Sequence, residues 1–227
     1  MRILVLGRGK TGKLVAEVAR ERGHSVNVLD ANENRNGGSL TPVTLASFEA
    51  VIDFTTPEAV LPNLRACIAS GAKMVVGTTG WYSQLPDIKA LVERKQGALL
   101  YGTNFSFGVQ LLFRAAELLG KEARDYRFHI EETHHTSKMD SPSGTALSMQ
   151  SILKTTPFGA AADITAHREG DAVGIHRLEL TNAEESIVLE HTATSRRSFA
   201  LGAVRGAEWI ATRTGCYDFH DVFAQIL

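Results

Sequence analysis

Short apolar runs and helix-period segments take turns through the first half of the chain. RILVLG is an apolar run closed by glycine, and KLVAEVARERGH then carries apolar residues at helical spacing up to Gly23. SVNVLD and AVIDFT read as strands. PEAVLPNLRACIASG reads as a helix opening at Pro57 and stopping at Gly71, with Pro62 inside it, where a proline is expected to kink or shorten it. KMVVGTTG is a strand running into a glycine-bracketed loop, YSQLPDIKALVERKQG a helix starting near Pro86, and ALLYGTN another strand. Strands separated by helices predict βαβ units and a mostly parallel sheet.

The pattern changes after Asn104. VQLLFRAAELLG has helical spacing, whereas YRFHIEE alternates Tyr126, Phe128 and Ile130 with polar neighbours. A helix is expected through GTALSMQSILK, followed by Gly/Ala-rich connecting residues and two strand-like runs, GIHRLEL and SIVLEHTATS. Their alternation predicts an open, partly antiparallel sheet with one wet face. FALGAVRGAEWIATRTG reads as a last helix followed by a short tail. The expected organisation is α/β: residues 1–104 as one domain, with 200–227 returning to it, and 105–199 as an α+β domain with an open mixed sheet.

Composition narrows the function classes. The chain has 227 residues, 44% of them hydrophobic, enough for one large or two modest cores. The formal net charge of -1 argues against a general nucleic-acid or acidic-membrane binder, which needs a basic surplus. The two cysteines, Cys67 and Cys216, imply neither a disulfide framework nor a metal motif, and fit a reducing cytoplasm. No window approaches the roughly 20 apolar residues of a membrane span.

GRGKTG, from Gly7 to Gly12, matches G-x-G-x-x-G between the first strand and the first helix. Gly7 permits the turn, Gly9 lets backbone approach a pyrophosphate, and Gly12 lets helix and strand pack closely. Asp30 closes the second strand, near the roughly 20-residue offset of an acid that binds the adenine ribose. This is the pattern of a Rossmann-type dinucleotide-binding domain. Arg8 and Lys10 with Thr11 in the loop, and Lys13 and Arg35 nearby, offer cations for a ribose 2′-phosphate, whereas Asp30 favours the free hydroxyl. NADH and NADPH therefore both stay open. Two more loops at strand ends, Gly77–Gly80 with Thr78 and Thr79, and Gly102–Phe105 with Thr103 and Asn104, supply small residues and hydroxyls for a nicotinamide ribose.

The densest chemistry lies in EETHHTSKMDSPSGTAL, residues 131–147. Ser141 and Pro142 fit an N-cap and first helical position, so Ser143, Gly144 and Thr145 would offer first-turn N–H groups and hydroxyls to an anion. His134, His135 and Lys138 precede them on a loop leaving a strand. Cations beside a helix N-terminus make a pocket for a dicarboxylate or phosphate, and an imidazole exchanges protons near neutral pH. A metal site with His129, Glu131 or Glu132 is the competing reading. It is disfavoured because adjacent histidines on an extended chain point oppositely and no H-x-x-x-H pair is present.

EETHHTSKMDSPSGTA closely resembles the signature of the 4-hydroxy-tetrahydrodipicolinate (dihydrodipicolinate) reductases of the diaminopimelate–lysine pathway. VLGRGKTG, VIDFTTPE, VVGTTG, GTNFSFGV, REGDAVG and TSRRSFALGAVRGAEWI follow in that family's order. The resemblance implies a cytoplasmic NADH- or NADPH-dependent oxidoreductase without a metal, acting on a small dicarboxylate. It implies His134 as general acid/base and Lys138 as proton donor and carboxylate partner. His135, Gly144 and Thr145 become substrate contacts; Gly7–Gly12, Asp30, Gly77–Thr79 and Gly102–Phe105 become nucleotide contacts. It also implies a homo-oligomer, a tetramer in the family. The chain departs at Thr56, where many relatives carry arginine, and in a short segment before REGDAVG, which leaves a dimer open. Another nicotinamide-dependent reductase of an amino-acid-derived carbonyl or imine is the alternative enzyme. A non-catalytic nucleotide sensor is the alternative outside enzymes, against which His134 and Lys138 argue.

Overall fold

The computed structural model describes residues 1–227. In chain order the elements are β1 (Arg2–Leu6), α1 (Lys10–Glu21), β2 (Ser25–Leu29), α2 (Pro42–Leu45), β3 (Ala50–Asp53), α3 (Pro57–Ala69), β4 (Lys73–Val76), α4 (Leu85–Lys95) and β5 (Ala98–Tyr101). Then come α5 (Phe107–Glu122), β6 (Arg127–His134), α6 (Gly144–Lys154), β7 (Asp163–Arg168), β8 (Ile175–Thr181), β9 (Ser186–Thr192), α7 (Arg197–Ile210), β10 (Gly215–Asp218) and α8 (Phe219–Ile226). They divide into two compact units, Met1–Ser106 with Arg196–Leu227, and Phe107–Ser195.

The first unit is built on a six-stranded sheet in the order β10-β5-β4-β3-β1-β2, every neighbouring pair parallel. Such a sheet is covered on both faces, which is why Ile3–Leu6, Ala50–Asp53 and Ala98–Tyr101 are buried at every position rather than at alternate ones. β2 lies on one side of β1 and β3 on the other, so the strand order reverses at the β1/β3 crevice, where open α/β sheets take ligands. Pro62 does not interrupt α3, which runs unbroken from Pro57 to Ala69. A proline there costs about 3 kcal/mol, but Val60, Leu64 and Ile68 are all fully buried, at about 1.5–3 kcal/mol each. The expected short tail is instead an element pair. β10 extends the sheet beside β5, and Asp218 caps α8 by accepting from the His220 N–H.

The second unit holds a four-stranded mixed sheet, β7-β6-β8-β9, with β6 parallel to β7 and antiparallel to β8. One face, carrying Phe128, Ile130, Leu178 and Leu180, is buried in a core with Val109, Phe113, Met149 and Leu153 of α5 and α6. The strand β7 lies in residues read from sequence as a connection. Its alternation is mostly polar because it is an edge strand paired only to β6.

Candidate active site

The loops after β1, β3 and β4 line a cavity of about 310 Å³, with Gly9, Lys10, Thr11, Phe54, Thr55, Pro57, Gly77, Thr78 and Thr79 on its walls. α1 starts there with no side-chain cap and no acid in its first turn, leaving its N–H groups and positive end toward an anion. Glycine is required at one position of the loop and leaves open space at another. A Cβ at Gly12 would lie 2.1 Å from the Gly7 carbonyl oxygen, whereas one at Gly9 would meet nothing within 4 Å. Below the cavity Asp53 is fully buried. Its carboxylate accepts from Thr55 N–H (2.9 Å), Thr55 Oγ1 (2.7 Å), Thr78 Oγ1 (2.8 Å) and Asn63 Nδ2 (2.8 Å), tying the β3 and β4 loops together.

Just after β2, Asp30 accepts from the N–H groups of Asn32 (2.9 Å) and Glu33 (3.0 Å). The Glu33 N–H, helped by that of Asn32 and by the Arg8 charge, holds Asp30 below the usual carboxylate range. Arg8 is engaged by both acids, 3.5 Å from Asp30 and 3.0 Å from Glu33. Lys10, Lys13 and Arg35 are exposed. The Gly102–Phe105 loop divides: the Phe105 side chain is core, against Phe219 with ring centroids 4.5 Å apart, and Asn104 Oδ1 accepts the Ser106 N–H.

In the second unit, period-two alternation along β6 decides the site. Phe128, Ile130, Glu132 and His134 all fall on the buried face. Register sets Glu132 opposite His176 on β8 and His134 opposite Arg168 on β7. Glu132, with no exposure, accepts from Ser143 N–H (2.9 Å), Ser143 Oγ and Arg168 Nη2 (3.1 Å). Its Oε2 lies 3.7 Å from His134 Nδ1 and 3.8 Å from His176 Nε2, and the two rings meet edge-on at 5.0 Å. A Cβ at Gly174 would lie 3.0 Å from His134 Nε2, so the glycine leaves that nitrogen room.

The N-cap of α6 is Ser143, not Ser141. Its Oγ accepts from the Ala146 N–H, and Ser141–Pro142 is a cis bend before it. The Ser143 N–H and hydroxyl are both engaged by Glu132. The loop carries the remaining predicted residues. Ser137 Oγ lies 2.8 Å from His135 Nδ1, Thr145 is buried, and Lys138 Nζ donates to both oxygens of Asp140 at 2.7 and 2.9 Å. Burial would push Asp140 up, but the Lys138 bond and charge and the Gly144 N–H hold it below the usual carboxylate range. The alternative metal ligands separate, His129 pairing with Asp163 and Glu131 with His167. Glu132, His134 and His176 do bring ligand-type atoms within 4.8 Å of one another, but the guanidinium of Arg168 already meets that carboxylate.

Burial holds His134 down at about 4, despite Glu132, which raises it; Lys138 and Arg168 lower it further. Burial, with His134 beside it, brings His176 down to about 3. Both sit below the ordinary 6.5, so the unfolded chain takes up protons first. Their contribution to stability is complete above pH 6.5 and is lost as pH falls toward 4 and then 3. Thermal unfolding scans should show Tm dropping across that window, with a shallower drop in His176→Asn.

A parallel sheet whose strand order reverses beside a tight glycine loop is the architecture of a dinucleotide-binding domain. Family models described as the N-terminus and the C-terminus of dihydrodipicolinate reductase match residues 1–105 and 108–223. A 4-hydroxy-tetrahydrodipicolinate reductase of Christiangramia forsetii is 32% identical, covering 100% of this chain and 99% of its own. One from Natronomonas pharaonis is 37% identical over 97% and 99%. The dipicolinate-bound dihydrodipicolinate reductase of Paenisporosarcina sp. TG-14 shares the fold, with TM-score 0.78 at 20% identity over 98% and 99%. The chain belongs to the dihydrodipicolinate reductase family.

Proposed function

We propose that the protein reduces 4-hydroxy-tetrahydrodipicolinate to tetrahydrodipicolinate in lysine and diaminopimelate biosynthesis. Substrate, reduced nicotinamide dinucleotide and one proton give product, oxidised dinucleotide and water. When bound, a reduced dinucleotide would supply the hydride, and the Gly7–Gly12 turn and the start of α1 would hold its pyrophosphate. The observation that carries the reading is the setting of Asp140. Its carboxylate sits on Lys138 Nζ and the Gly144 N–H, so a lysine and the first turn of α6 already converge on a carboxylate. A substrate carboxylate takes that place, with His135 and Thr145 beside it, while His134 moves the proton. Consumption of reduced dinucleotide that depends on added substrate tests the reading.

Dual cofactor use is part of the proposal, with NADH at least as good as NADPH. Asp30 and Glu33 flank Arg8, and Thr56 adds no charge, so Lys10, Lys13 and Arg35 are the exposed cations left for a 2′-phosphate, with Lys10 next to the glycine turn itself. Lys10→Ala should raise KM for NADPH several-fold and change KM for NADH little, compared at one ionic strength because salt screens the effect. An equal rise for both would remove Lys10 from phosphate recognition. No metal enters the step, so EDTA should leave the rate unchanged; a loss restored by Zn²⁺ would make the Glu132 cluster a metal centre. No helix is long and apolar enough to cross a membrane. The proposal places the enzyme in the cytoplasm as a homo-oligomer, tetramer or dimer.

A further inference from the structure

The sequence singles out His134, yet the group around which the site is built is Glu132. No part of it reaches solvent. Three donors converge on it: the Ser143 N–H, the Ser143 hydroxyl and the Arg168 guanidinium. Meanwhile His134 Nδ1 is buried, has no hydrogen-bond partner and lies 3.7 Å from Glu132 Oε2. An unpartnered ring nitrogen beside a fixed carboxylate is the arrangement that stabilises an imidazolium, because the positive charge forms next to a preorganised negative one.

We propose that Glu132 is a positioning residue for the reduction: its carboxylate is the buried counter-ion that orients the His134 imidazole and lets it carry a proton. The inference rests on the acid/base role given to His134 above. Ser143 and Arg168 hold the carboxylate still, and because Ser143 caps α6, the same carboxylate fixes the helix start relative to the histidine. The charges facing His134 act in both directions. Glu132 on its own strand and Asp140 on the loop favour the proton; Arg168 on β7 and Lys138 on the loop oppose it. His176 on β8 stands edge-on to the ring. Of the groups favouring the proton, Glu132 is the buried one, so removing its charge tips the balance against protonation.

The test follows the His134 ring by NMR titration in the wild-type protein, Glu132→Gln and Glu132→Asp, alongside kcat against pH. Glutamine keeps the hydrogen-bonding shape and loses the charge. It should lower the His134 midpoint by about one pH unit or more and reduce kcat at neutral pH at least tenfold, with a smaller change in substrate KM. The limb of the profile where activity is lost with the His134 proton should move to lower pH. Aspartate keeps the charge at a longer reach and should fall between the two, which also serves if the glutamine variant does not fold. A folded Glu132→Gln protein whose His134 midpoint matches wild type would overturn the proposal. A midpoint that moves while the kcat profile stays fixed would support the coupling and overturn the acid/base role of His134.

Discussion

Replacing His134 with glutamine is expected to lower kcat by about 10²–10⁴-fold, the usual contribution of a positioned acid/base group, with little change in KM. Glutamine offers similar bulk and hydrogen-bonding atoms but cannot shuttle a proton. The geometry makes the histidine hard to replace, because its Nδ1 side is closed by Glu132 while Gly174 leaves its Nε2 side room. Its affinity for a proton is low in the free protein, chiefly through burial. A dicarboxylate brought nearby would raise it, favouring the protonated form when substrate is bound. Steady-state kinetics across pH decide the matter, and an unchanged kcat at every pH would remove His134 from the reaction.

Lys138→Ala should lose activity severely, in kcat and in KM together, because in the proposed reaction one ammonium group both anchors a substrate carboxylate and assists protonation. Its bond to Asp140 shows how the anchor works: both carboxylate oxygens are within hydrogen-bonding distance of Nζ. Lys138→Arg should recover part of the binding, since a guanidinium also engages a carboxylate, and little of kcat, since it does not give up its proton. Unchanged kcat and KM in Lys138→Ala would contradict the role.

Much of this architecture is legible in the chain. The glycine loop at Gly7–Gly12 sits between an apolar run and a helical period, and the alternation of Tyr126, Phe128 and Ile130 marks one face of a strand, which runs on to include His134, expected on the loop beyond it. Followed two residues at a time, that alternation also puts Glu132 on the buried face beside His134, a signal present in the sequence. What it does not contain is register. His176 and Arg168 meet Glu132 only because β8 and β7 pair with β6 at particular residues, and β7 is an edge strand too polar to announce itself. β10 and α8 were hidden for a similar reason: a four-residue strand is recognisable only beside β5. Ser141 and Ser143 both suit an N-cap by residue type, and the structure gives the position to Ser143, whose Oγ accepts from the Ala146 N–H.

Glu33 was likewise unmarked, since an acid three residues beyond Asp30 gains meaning only when Arg8 folds back between them. Phe105 shows the opposite case, a residue in a promising loop whose ring is taken by the core.

The most direct measurement mixes the purified protein with NADH or NADPH and freshly generated 4-hydroxy-tetrahydrodipicolinate, following reduced-nicotinamide absorbance and product by mass spectrometry. The account predicts one dinucleotide oxidised for each tetrahydrodipicolinate formed, with either cofactor and with EDTA present. Substrate-independent oxidation, or no oxidation of either cofactor by folded protein, would contradict it.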